Sequence, residues 1–173
     1  RQGLPAVSFP GTSTRPAAAH STPMNQIAHL LDTAQIALDL DVPSKARLFD
    51  AVGAMFAQRG LDAAGIAASL AAREKLGSTG LGQGIAIPHG RIKGLKEARG
   101  AFVRLHEPVA FDAPDGKPVA QVFVLLVPEQ ATDLHLQLLS ELAQMFSERA
   151  FRDRLASAKN PNDLLALFSA WEP

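Results

Sequence analysis

An α/β sandwich, in which helices cover a mixed β-sheet, is the fold this sequence predicts, and three observations predict it. Residues 122–127, Val-Phe-Val-Leu-Leu-Val, are an unbroken apolar run suited to a central strand buried on both faces. Helix-period segments stand on both sides of that run, interspersed with shorter strand-like stretches, so helices and strands share one core. The 173 residues, 47% of them hydrophobic, are enough for one domain with a sizeable core, and no internal repeat divides them.

The elements follow in order. Ile36, Leu38 and Leu40 alternate with polar or small residues over 35–40, which predicts a short strand. Ser44 reads as an N-cap, and Leu48, Val52, Met55 and Phe56 recur at helical spacing, so a helix is expected over 45–59 with Gly60 just past its end. A second helix is expected over 62–75, with Ala-rich packing around Ile66 and Leu70 and a weak point at Gly65. Residues 84–87, 101–106 and 121–127 read as strands, and Ala113-Pro114-Asp115-Gly116 as a turn between the last two. Thr132 or Asp133 opens a helix with an apolar stripe of Leu134, Leu138, Leu142 and Met145. Two shorter helices are expected over 151–158 and 162–171.

Composition bounds the function. Lys plus Arg and Asp plus Glu both number 17, so no overall basic field exists to hold nucleic acid, and partners must be chosen locally. The chain has no cysteine, which excludes thiol chemistry and cysteine-ligated metals and fits a cytoplasmic location. No apolar run approaches the length of a membrane helix, so no membrane insertion is expected. Residues 1–23, rich in Pro, Ser, Thr and Ala, read as a flexible leader without the apolar core of a secretory signal. Residues 24–173 are then the domain, with Met24 a candidate start.

The chemistry concentrates between residues 73 and 90. Ser78-Thr79-Gly80-Leu81-Gly82-Gln83-Gly84 is glycine-rich and feeds Ile85-Ala86-Ile87-Pro88-His89, so a strand ends on a single imidazole. Glycines permit positive φ and close backbone approach, which lets amides converge on an anion, and Pro88 fixes the chain direction before His89. A neutral imidazole is a nucleophile near neutral pH, although a lone histidine at a strand end is more often structural or solvated. The glycine spacing fits neither the dinucleotide fingerprint nor the Walker A ending, so no nucleotide cofactor is implied. His89, His106 and His135 lack an HExxH-type pairing, so no metal is expected either.

Arg73-Glu74-Lys75-Leu76-Gly77-Ser78-Thr79-Gly80, running into Gly84-Ile85-Ala86-Ile87-Pro88-His89, resembles a signature of the IIA phosphocarrier domains of the bacterial phosphotransferase system. The likeness is to the fructose/mannitol superfamily and its nitrogen-regulatory members. It continues through Leu125-Leu126-Val127-Pro128 and His135-Leu136, covering the chain from about residue 25 onward. The resemblance implies a phosphoryl group accepted on Nε2 of His89 from an HPr-like phosphohistidine donor (NPr in the nitrogen branch). It implies a supporting role for His135 and phosphate contact for Arg73, whose planar guanidinium binds phosphate oxygens bidentately. Without it, Arg73 is a cation at a helix C-terminus and His135 a histidine in the first turn of a helix. Ser78 and Thr79 are hydroxyl donors or turn residues, and Gly84 is a candidate for close phosphate approach. In the nitrogen branch, phosphorylation state is expected to govern regulatory targets such as potassium-transport or sensor proteins. A sugar-specific IIA component that passes phosphate to a IIB domain is the alternative, and a non-catalytic interaction module is the alternative of another class.

Overall fold

Strand β6 (Val119–Pro128) is the axis of the molecule, and its alternation divides the core in two. Phe123, Leu125 and Val127 pack on one side and Val122, Val124 and Leu126 on the other, all fully buried, as the apolar run predicts. The computed structural model describes Gly3 and residues 25–173; apart from Gly3, the leader expected over residues 1–23, together with Met24, lies outside the described residues.

Along the described chain the elements are α1 (Gln26–Leu30), β1 (Ile36–Leu40), α2 (Lys45–Ala57), α3 (Ala63–Lys75), β2 (Gly80–Gly82), β3 (Ile85–Ala86), β4 (His89–Ile92), β5 (Arg99–Val109), β6, α4 (Thr132–Ser147), α5 (Arg149–Ser157) and α6 (Pro161–Ala170). A 3₁₀ turn (Thr33–Gln35) leads into β1. The sheet order is β1-β5-β6-β3-β2, with β4 also pairing with β6. β1 runs parallel to β5, β5 antiparallel to β6, and β3 and β4 both parallel to β6, which makes the sheet mixed. Residues of α2 and α3 cover one face; those of α1, α4, α5 and α6 cover the other. This is the α/β sandwich expected from the sequence.

Local signals account for most element ends. Ser44 Oγ accepts from the Arg47 amide at 3.2 Å and caps α2, and Asn160 Oδ1 accepts from the Asp163 amide at 2.8 Å ahead of Pro161 in α6. The turn over 113–116 closes with the Gly116 amide donating to the Ala113 carbonyl at 2.9 Å. Helix α1, capped by the Asn25 side chain, and strands β2 and β4 were not expected from the sequence. No helix among the described residues is long and apolar enough to cross a membrane.

Candidate functional site

The expected strand over 84–87 is broken. β3 ends at Ala86, Ile87-Pro88 makes a jog, and His89 opens β4 on the same flank of β6. Pro88 has no amide hydrogen to give a ladder, but its carbonyl accepts from the Leu125 amide at 3.0 Å, so β6 carries the chain across the break. His89 therefore begins a strand in register with Leu125, and it is 9% exposed, far more enclosed than an exposed strand end.

Both ring nitrogens of His89 are engaged. Nδ1 lies 2.9 Å from the Ile87 carbonyl, an acceptor, so this nitrogen carries the hydrogen. Nε2 then presents its lone pair, which accepts from Arg73 Nε at 3.2 Å. Arg73 stands in the last turn of α3, and its other arm donates to the Gly77 carbonyl at 2.9 Å. From the opposite layer, the first turn of α4 brings the His135 ring edge-on to His89, with centroids 5.0 Å apart. His135 Nε2 is buried without a hydrogen-bond partner. The sheet edge at β4 is thus where helices from the two layers meet around one imidazole.

Electrostatics favour the neutral rings. Burial holds the His89 pKa below the ordinary imidazole value; the hydrogen bond to Ile87 opposes this, while the Arg73 charge adds to it. His135 is held low by burial first, then by the charge His89 would carry if protonated, and by the Arg91 and Arg73 guanidiniums. Two neutral imidazoles beside the Arg73 guanidinium, with the Arg91 charge acting on His135, can receive an anion at a nucleophilic nitrogen.

Residues 29–171 match the family described as phosphoenolpyruvate-dependent sugar phosphotransferase system, EIIA 2. The chain belongs to this family. It is 44% identical to a nitrogen regulatory protein of Pseudomonas aeruginosa over 137 residues, 78% of this chain and 89% of the relative. The crystal structure of nitrogen regulatory protein IIA-Ntr from Neisseria meningitidis matches with a TM-score of 0.78 at 50% identity, covering 82% of this chain and 98% of that one. The mannitol IIA enzyme of Escherichia coli, determined in complex with phosphorylated enzyme IIB, matches with a TM-score of 0.67 at 20% identity over 82% and 98% of the two chains, a likeness of fold. The resemblance read from the 73–89 signature and the sandwich fold both hold, and the protein is a phosphotransferase-system-related regulatory relative.

Within this EIIA domain the structure gathers Arg73, His89 and His135, and places the other expected site residues elsewhere. The Ser78 hydroxyl donates to the Phe111 carbonyl, and the Thr79 hydroxyl to the Glu74 carboxylate at 2.6 Å, so both hydrogens are committed to holding the turn. Gly84 follows Gln83 in the turn of the β2–β3 hairpin, with φ +77°, and its carbonyl accepts from Ala120 and Gln121. Ile85 pairs with Gln121 and His89 with Leu125, so the hairpin lies about 13 Å along the strand from the imidazole. The glycines serve a tight hairpin there instead of an anion cradle beside His89. His106 pairs with Asp39 of β1 at 3.2 Å, so the three histidines do not converge.

Sequence reasoning missed Arg91. It is two residues beyond His89 in β4 and so shares its face, and its charge acts on His135. The period-two spacing His89-Gly90-Arg91 carried that signal, but Pro88 hid the strand.

Proposed function

We propose that the protein is a cytoplasmic phosphoryl carrier and regulator of the nitrogen phosphotransferase branch, accepting a phosphoryl group on Nε2 of His89. The observation that carries this is the division of labour on the ring: Nδ1–H is held by Ile87, which leaves the Nε2 lone pair facing the Arg73 guanidinium. In the step, that lone pair attacks the phosphorus of a phosphohistidine on an HPr-like donor. The donor P–N bond breaks and its electrons return to the donor ring, which leaves as neutral imidazole. The His89 ring becomes cationic, with its proton still on Nδ1 and donated to the Ile87 carbonyl, and the phosphoryl charge offsets it.

Arg73 would swing from the lone pair it now occupies to the phosphoryl oxygens, and the unpartnered His135 Nε2 would supply a further contact. Positioning and charge compensation are the main routes open to phosphoryl transfer. Residues 24–173 would be the functional unit. The phosphoryl group itself carries about −1.5 to −2 charges, which the cationic His89 ring offsets in part. Regulatory targets would distinguish the two forms by the negative group newly placed at this one point of a chain with no net charge.

Incubation with phosphorylated nitrogen-branch and sugar-branch donors, followed by phosphosite mapping under non-acidic conditions, tests the reading. Label from the nitrogen-branch donor, found on His89 and absent from folded His89→Ala, is expected. Preference for the sugar-branch donor, with onward transfer to a IIB domain, would favour the sugar-specific alternative, for which the mannitol enzyme's complex with phosphorylated IIB is the precedent. Label on another residue, or no label from either donor, would overturn the assignment.

A further inference from the structure

Glu74 follows Arg73 in α3 and points the other way, into the protein, where its side chain is only 6% exposed. One carboxylate oxygen pairs with Lys45 Nζ of α2 at 2.9 Å. The carboxylate also accepts from the Thr79 amide at 3.2 and 3.3 Å and from the Thr79 hydroxyl at 2.6 Å. It therefore locks the turn that follows α3.

That turn supports both sides of the His89 ring. The Thr79 carbonyl accepts from the Ile87 amide at 3.0 Å, and the Ile87 carbonyl takes the Nδ1 hydrogen at 2.9 Å. The Gly77 carbonyl braces the guanidinium of Arg73, whose Nε faces Nε2 at 3.2 Å. The partners of both imidazole nitrogens thus rest on one short segment, and Glu74 is the buried group that fixes it. We propose that Glu74, held by Lys45 and acting through Thr79, is a positioning residue that sets the His89 tautomer and its register with Arg73.

A buried carboxylate held by three donors, the Lys45 ammonium and the Thr79 amide and hydroxyl, is a rigid clamp, because losing it leaves both Thr79 donors without their partner. Its effect on chemistry passes through geometry: small errors in the placement of a nucleophile are costly in rate. The inference rests on His89 being the phosphoryl acceptor only for its kinetic consequence, since the tautomer is a property of the resting protein.

The test uses protein labelled with ¹⁵N-histidine. Wild-type His89 above neutral pH is expected to show a protonated Nδ1 and a pyridine-type Nε2. Glu74→Gln should populate the other tautomer and slow phosphoryl acceptance about tenfold or more, with the KM for the donor little changed. Thr79→Ser keeps the hydroxyl and should behave as wild type, whereas Thr79→Val should follow Glu74→Gln. If Glu74→Gln fails to fold, Lys45→Met and Thr79→Val carry the same test, each expected to move the His89 nitrogen signals. Wild-type tautomer and rate in folded Glu74→Gln, or in both substitutes, would overturn the proposal. Failure of the donor to label even the wild-type protein would overturn the phosphoryl-acceptor reading instead, with the nitrogen signals still deciding the positioning role.

Discussion

Replacement of Arg73 separates its two functions. The guanidinium donates through Nε to His89 Nε2 at 3.2 Å and through its other arm to the Gly77 carbonyl at 2.9 Å. Arg73→Ala removes the charged donor proposed to move onto the phosphoryl oxygens as transfer proceeds, and hydrogen bonds to charged groups are worth about 1.5–3 kcal/mol. At about 1.4 kcal/mol per tenfold change, the rate of phosphoryl acceptance should fall by about ten- to hundredfold. Arg73→Lys should be intermediate and closer to Ala, because an ammonium cannot keep both contacts in one planar fork. The substitution also removes a charge that holds the His89 pKa down, so that pKa should rise toward the ordinary value in Arg73→Ala. Single-turnover transfer from a phosphorylated donor, measured across pH 5 to 8, reads both effects. An unchanged rate and pH midpoint in Arg73→Ala would reduce Arg73 to a cation closing a helix end.

Three further outcomes are expected. His135→Ala should still be labelled on His89, but more slowly or with a shorter phosphoryl lifetime, as seen by mass spectrometry and a decay time course; loss of the phosphosite would reverse the roles of the two histidines. Both histidines are held below the ordinary imidazole pKa of about 6.5, so the unfolded chain binds protons first as pH falls. Their contribution to stability should be whole above about pH 6.5 and decline below it toward the folded pKa values, and phosphoryl acceptance should titrate with a midpoint below 6.5; a midpoint above it would contradict the buried, cation-flanked setting. A Cβ on Gly90 would stand 2.5 Å from Ser69 Oγ of α3, so Gly90→Ala should turn that hydroxyl away from the Arg91 carbonyl it donates to at 3.2 Å and cost about 0.5–1.5 kcal/mol in urea unfolding, with no such added cost when Ser69 is already Ala. Wild-type stability of the single variant would show that the Ser69 hydroxyl contributes nothing to holding α3 against β4.

Sequence by itself determined the elements whose signals are local. Ser44 and Asn160 announce helix starts because a side-chain acceptor three residues before an amide is a short-range fact. The six apolar residues of β6 announce a strand covered twice because no other arrangement hides both faces. The 73–89 signature singled out Arg73 and His89, whose separation is closed by a helix end and one hairpin. The tertiary structure alone decided what each polar group binds. It seated His135 against His89 from the opposite layer, gave the Ser78 and Thr79 hydroxyls to Phe111 and Glu74, and made the glycine run a hairpin. It also revealed β4, since a two-residue break at Ile87-Pro88 erases the local alternation while the pairing with β6 continues across it. The physical reason is common to all of these: periodicity and caps are fixed by neighbours in the chain, whereas a buried donor takes whichever acceptor the packed layers bring within about 3 Å.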